Sequence, residues 1–260
     1  MLKVRVIPTL LWKGFGLVKG VAFNSWRQVG TVLPAIKIYN ARDVDEMILM
    51  DIEASLLSIE PDGDSIESFA EECSMPLTVG GGINNLEQVQ KLLYAGADKV
   101  TLNSSLYETP TLINVIASHF GSQCLVASID VRQNGLGKYQ CYSHAGSVPT
   151  HKCVVQWAKE VADRGAGEIL LTSIDNDGTM QGYDLDLISQ VCQSVDIPVI
   201  ASGGAGKYQD MVDAVQQAGA SAVAAASIFH FTEMTPAGAK AALHKVGVPV
   251  RKIFASNRGL

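Results

Sequence analysis

Leu77-Thr78-Val79-Gly80-Gly81-Gly82-Ile83 is a short apolar run that ends in three glycines. Such a run, closed by glycine, reads as a strand covered on both faces and followed by a tight turn. The pattern returns 123 residues later as Ile200-Ala201-Ser202-Gly203-Gly204-Ala205. The same offset separates Gly96-Ala97-Asp98-Lys99-Val100 from Gly219-Ala220-Ser221-Ala222-Val223, and Ser104-Ser105-Leu106 from Ser227-Ile228-Phe229. An internal repeat of this length predicts two similar halves.

Outward from these stretches, β-rich runs recur at Val4–Leu10, Glu46–Met50, Met75–Val79, Lys99–Asn103, Leu125–Ile129, Glu168–Thr172, Ile197–Ala201 and Ser221–Ala225. Amphipathic stretches lie between them: Ile66–Cys73, Leu86–Ala95, Leu112–Phe120, Val154–Gly165, Leu185–Val195, Tyr208–Ala218 and Ala237–Val246. Eight strand–helix units in about 250 residues predict an α/β fold, a single (β/α)8 TIM barrel over residues 1–260. Its half-barrels are expected at about 1–120 and 121–250. An open, doubly wound sheet is the alternative.

Composition agrees with a globular chain. Of 260 residues, 47% are hydrophobic and 18% charged, and the net charge is −6. A mildly acidic protein without a long basic block is a poor nucleic-acid binder. No stretch approaches the roughly 18 uncharged apolar residues of a spanning helix. Met1–Leu11 reads as a strand, not a signal peptide. Five scattered cysteines, never in a CxxC pair, predict a reducing cytoplasm and no zinc knuckle. The five histidines show no metal-ligand spacing, so no metal and no cofactor are expected.

In a barrel of this kind, chemistry sits at the C-terminal ends of the strands. Gly81, Gly82, Asn103 and Ser104 form one candidate cradle there, and Gly203, Gly204, Ala226 and Ser227 form another. Glycines without Cβ let backbone N–H groups approach an anion closely. Two such cradles half a barrel apart predict an elongated substrate with a phosphate at each end. Asp51, Asp130, Asp175 and Asp177 share this rim. Asp175 and Asp177 suit the capping of loop amides. Asp130, carried straight off an apolar strand, is the better catalytic candidate. At the opposite end, Arg5, Glu46, Lys99 and Glu168 stand at the starts of strands one, two, four and six, either as a stability network or as a polar gate.

Together these stretches, with Gly165 to Asp175, Asp177-Gly178-Thr179 and Ile200 to Lys207, resemble the HisF family, the cyclase subunits of imidazole glycerol phosphate synthase. The resemblance runs from Arg5 to about Arg251. It implies a ribulose-phosphate-binding type of barrel with a glutaminase (HisH-like) docked on its floor. Ammonia then crosses a gate at Arg5, Glu46, Lys99 and Glu168, with Asp98 and Gln123 at the partner interface. It also implies catalysis by Asp130 with Asp177, and substrate positioning by Lys19, Asp51 and Thr172. Two positions depart from the family pattern. Leu11 stands where the family has a second proton-moving aspartate, and Asn176 stands where it usually has arginine.

Leu11 directs the functional expectation toward the divergent HisF-like proteins. These pass ammonia onward in the amidination of a bacterial surface sugar, with an ATP-dependent synthetase as a possible third component. The alternatives are the cyclase of histidine biosynthesis and a non-catalytic scaffold that activates a glutaminase. A sister-family sugar-phosphate isomerase also requires an acid–base residue at position 11, so Leu11 counts against it.

Overall fold

The computed structural model describes residues 3–14, 16–42 and 44–251; the outermost parts of the 1–260 span lie outside the described residues. Eight parallel strands close into a barrel. They are β1 (Arg5–Lys13), β4 (Met47–Asp51), β5 (Leu77–Gly80), β6 (Lys99–Leu102), β7 (Leu125–Gln133), β10 (Glu168–Ser173), β11 (Val199–Ser202) and β12 (Ala222–Ala225). Each pairs in parallel with the next, β7 with β10, and β12 returns to β1. The expected barrel is the observed fold.

Two antiparallel hairpins extend it: β2 (Gly16–Val21) with β3 (Asn24–Gly30) beside β1, and β8 (Tyr139–Ser143) with β9 (Val148–Cys153) beside β7. The strand reading gives neither hairpin. Their residues alternate poorly, and Asn24, Ser25, Arg27 and Gln28 are exposed.

Helices cover the outside: α1 (Val32–Ala41), α2 (Ala54–Leu57), α3 (Gly63–Glu71), α4 (Leu86–Tyr94), α5 (Ser104–Glu108), α6 (Thr111–Phe120), α7 (Val154–Asp163), α8 (Leu185–Cys192), α9 (Tyr208–Gln216), α10 (Ser227–Phe231) and α11 (Pro236–Lys245). Asn85 and Asp184 cap α4 and α8 by accepting from the amides of Gln88 and Leu187. The expected helix from Val154 to Gly165 stops at Asp163, because Gly165 turns to a φ of +108°. Helix α1 is an addition. Val32, Ile36 and Tyr39 form its buried stripe, and Pro34 falls in its first turn, where no backbone N–H is required.

Strand alternation sorts the core into two parts. Ile7, Ile48, Val126, Leu170, Ile200, Ala222 and Ala224 pack as one cluster inside the barrel. Intervening residues such as Leu125, Ala127, Ile129 and Val131 join the larger cluster beneath the helices. The same period-two alternation carries each inward column upward from the floor. Arg5, Ile7, Thr9 and Leu11 share a column in β1, and Val126, Ser128 and Asp130 share one in β7. This alternation fixes which side chains reach the mouth. Among the described residues no helix is long and apolar enough to cross a membrane.

Candidate functional site

The floor carries a closed ring of charge. Arg5 Nη1 lies 2.6 Å from Glu46 Oε2 and 3.0 Å from Glu168 Oε1. Lys99 Nζ lies 3.0 Å from Glu46 Oε1 and 3.3 Å from Glu168 Oε1. Thr78 also donates to Glu46, whose side chain is only 3% exposed. Burial alone would lower the Arg5 pKa, but Glu168 and Glu46 raise it above its ordinary value. Two cations and two carboxylates thus alternate around the axis. A small polar molecule crossing the floor has to part at least one of these pairs. Asp98 and Gln123 are exposed on the same face. Asp98 accepts from the Leu77 amide, and Gln123 donates back to the Phe120 carbonyl.

The mouth holds two cavities. The larger, about 220 Å³, is lined by Asp130, Thr101, Ser128, Asn103, Ser104, Gly81 and Gly82, among others. The smaller, about 40 Å³, is lined by Lys19, Asp177, Thr172, Gly203, Gly204, Ala226 and Ser227, among others. The first predicted cradle therefore opens into the large cavity and the second into the small one. Leu11, Phe23 and Met50 line both, an apolar wall common to the two.

Asp130 is 7% exposed and accepts a hydrogen bond from Asn103 Nδ2 at 3.0 Å. Burial pushes its carboxyl up to about 7, and nearby Asp177 adds to the rise, while hydrogen bonds from Ser128 and Thr172 oppose it. A carboxyl poised near neutrality can both take and give a proton. Asn103 also donates to the Tyr142 carbonyl, leaving its Oδ1 buried without a partner. Thr9 Oγ1, Thr101 Oγ1 and Ser227 Oγ are likewise unpartnered. Buried polar atoms without partners are costly, and at a cavity wall they mark places for a ligand's polar groups.

Two carboxylates take other partners. Asp51 Oδ1 accepts from the amides of Glu53 and Ala54, so one of its oxygens serves the local turn, while the residue also lines the larger cavity. Asp175 accepts from the Gln133 amide at the end of β7 and pairs with Arg132 at 3.1 Å, so it serves a strand end where a loop amide is expected. Asp177 departs from the capping expectation further. Its carboxylate receives Lys19 Nζ at 2.7 and 2.9 Å, an ion pair that pins the β2–β3 hairpin over the mouth. The Ala22 amide donates to the Asp177 carbonyl at 2.8 Å, adding a second tie. Asn176 donates to the Gly182 carbonyl. A Cβ at Gly204, where φ is +113°, would collide with the Gly182 carbonyl, so that glycine serves packing as well as any ligand.

Sequence reasoning does not reach Phe23, Met50 or His144. Ala22 and Phe23 occupy the tip of the hairpin at φ values of +49° and +61°. A non-glycine pair in that conformation is strained, and strain of this kind concentrates at functional sites. The His144 amide donates to Ser104 Oγ, placing the β8–β9 turn over the first cradle. Among the described residues no group of His, Cys, Asp and Glu is arranged to hold a metal ion.

The sequence profile of the histidine biosynthesis protein family matches residues 5–235. Imidazole glycerol phosphate synthase subunit HisF of Gluconacetobacter diazotrophicus is 44% identical over 251 residues, covering 96% of this chain and 97% of that protein. The same-named subunit of Hyphomonas neptunium is 47% identical over 253 residues, covering 97% and 100%. That of Halalkalibacterium halodurans is 46% identical over 252 residues, covering 96% and 100%.

Proposed function

The chain belongs to the HisF family of histidine biosynthesis proteins, and from that membership we propose that it is the cyclase subunit of an imidazole glycerol phosphate synthase. A glutaminase on the barrel floor supplies ammonia, which passes the ring of Arg5, Glu46, Lys99 and Glu168 and reaches the mouth. There it meets the phosphoribulosyl formimino carboxamide ribotide. The ammonia nitrogen adds to the ribulosyl carbonyl carbon, water leaves, and the bond to the carboxamide ribotide breaks as the imidazole closes. The products are imidazole glycerol phosphate and AICAR. Asp130 takes a proton from the attacking nitrogen and returns one to the leaving oxygen.

The observation that carries this reading is the position of Asp130. A buried carboxyl with a pKa of about 7 lies at the mouth of the barrel, on the opposite end from the charged ring. A closed barrel between them shields ammonia from bulk water, where it would be protonated and lost. The test is turnover with glutamine as the nitrogen source, with a family glutaminase titrated in. Saturable product formation at one glutaminase per chain is the expected result.

Leu11 favours a second reading. The resemblance implies a proton-moving aspartate at this position, and leucine cannot fill that role. Losing such a group typically costs about 10²–10⁴-fold in rate. Here Leu11 is 7% exposed and shares an apolar wall with Phe23 and Met50. In this reading the glutaminase partnership persists while the ammonia serves another acceptor, such as a surface sugar undergoing amidination with the help of an ATP-dependent synthetase. It predicts glutaminase stimulation without cyclisation.

A further inference from the structure

Leu56, Leu57 and Ile59 stand 51%, 59% and 53% exposed within four consecutive positions. Exposed apolar residues scattered singly are ordinary, but a contiguous group marks a surface that something covers. The cause of their exposure is local. Helix α2 is a single turn, and Ala54 is its buried residue. The Leu56 and Leu57 amides both donate to the Glu53 carbonyl at 2.9 Å, and the Ile59 amide returns to the Ala54 carbonyl at 2.9 Å. Between them Ser58 turns the chain at a φ of +54°. These bonds hold three large apolar side chains out in water on an ordered ledge. Ala54, Ser55 and Ser58 line the larger cavity, so the ledge stands at the rim of the mouth.

Negative charge surrounds the ledge. Residues 43–90 contain twelve Asp and Glu and no Lys, Arg or His, whereas the rest of the chain has fourteen Asp and Glu against twenty Lys and Arg. Part of that charge is neutralised within the fold. Asp45 pairs with Lys240, Glu46 with the floor ring, Glu53 with Lys13 at 3.1 Å and Glu72 with Lys37 at 3.5 Å. Glu60, Asp62, Asp64 and Glu67 are exposed between the ledge and the mouth-side end of α3. None of these four has an ion pair among the described residues. Lys91 approaches from α4, where its stem lies against Gly63, one cation beside that row.

We propose that this ledge is a docking surface for a protein partner that presents an apolar segment flanked by lysine or arginine. Leu56, Leu57 and Ile59 supply the apolar centre, and Glu60, Asp62, Asp64 and Glu67 supply a charged rim, the anatomy of a specific interface. Charge decides between occupants. A second copy docked about a two-fold axis would set this acidic rim against itself. An anionic lipid surface meets the same repulsion. The glutaminase position implied at Asp98 and Gln123 lies at the opposite end of the barrel, so floor and mouth are free to be covered at once. The inference goes beyond the proposed function and holds for either acceptor of the ammonia.

The experiment uses the full chain and two labelled peptides of about 18 residues, both with leucines at i, i+3, i+4 and i+7 spacing. Lysine fills the remaining positions of one peptide and glutamate those of the other. Fluorescence anisotropy is expected to show one leucine–lysine peptide bound per chain, at least tenfold more tightly than the leucine–glutamate peptide. Serine in place of its leucines should cost at least tenfold, and the amide shifts on binding should map to residues 55–67. Leu56→Ser combined with Leu57→Ser should weaken binding at least tenfold, and Asp64→Asn combined with Glu67→Gln at least threefold. Tyr94→Ser, which removes a side chain 80% exposed elsewhere on the surface, should leave binding unchanged. Equal binding of the two peptides, shifts away from the ledge, affinity unmoved by the ledge variants, or no saturable binding would each overturn the proposal. So would self-association in sedimentation that the Leu56 and Leu57 variant abolishes, since the occupant would then be a second copy.

Discussion

Lys19 and Asp177 lie 158 residues apart in sequence, yet the Lys19 ammonium reaches both oxygens of the Asp177 carboxylate. One residue belongs to the hairpin after β1, the other to the loop after β10. Their pairing holds the hairpin, with Phe23 at its tip, over the mouth.

Lys19→Met removes the cation and leaves the Asp177 carboxylate partly buried without its partner. Breaking a buried pair in this way costs on the order of 3–5 kcal/mol when the structure cannot relax. Here it can relax, because the hairpin can lift and let water reach Asp177. Hydrogen exchange of the β2 and β3 amides is therefore expected to quicken at least tenfold, while β4 and β5 keep their protection. Unchanged exchange in the hairpin would show that its other contacts suffice.

Asp130→Asn is expected to change stability in a pH-dependent direction. In the folded chain burial holds this carboxyl to about 7, whereas an unfolded aspartate titrates near 3.9. Between those values the folded state keeps a proton that the unfolded state has lost. The wild type therefore has its full stability from this group below about pH 4 and loses it progressively as the pH rises to 7. Asparagine does not titrate, so the variant gains on the wild type over that window, by at most about 4 kcal/mol. Urea unfolding at pH 5 and pH 8 measures the difference, which should be larger at pH 8.

The floor ring makes separable predictions for stability and for ammonia passage. Glu46→Gln removes the charge that both Arg5 and Lys99 face and should cost about 3 kcal/mol, or about 6–12 °C in Tm. Lys99→Met tests passage. Glutamine-driven turnover should fall at least fivefold, with ammonium-driven turnover within twofold of the wild type. Equal losses in the two assays would assign the ring to stability alone.

Much of the fold is legible in the sequence because parallel strands buried on both faces read as short apolar runs. Leu125–Ile129 is such a run. Its continuation to Gln133 is not, because Arg132 and Gln133 pair with the β8 edge and are polar. The hairpins escape for a related reason: only scattered members such as Leu17 and Cys141 enter the core, and the residues around them are mixed in polarity. At the site, Asp130 stands out as a carboxylate leaving an apolar strand. The wall of Leu11, Phe23 and Met50 does not, since it is assembled from three separate segments. Nor does the sequence reveal that Asp177 pairs with Lys19 when Asp175, two residues before it, serves the Gln133 amide at the end of β7.

The central claim is that Asp130 carries cyclisation in this mouth without a second aspartate at position 11. Turnover of phosphoribulosyl formimino carboxamide ribotide in excess ammonium at alkaline pH, for the wild type and Asp130→Asn, tests it without the glutaminase. The account predicts imidazole glycerol phosphate from the wild type and a loss of about 10²–10⁴-fold in the variant. A wild type that binds the substrate and forms no product would contradict it, and would assign the barrel's ammonia to a different acceptor.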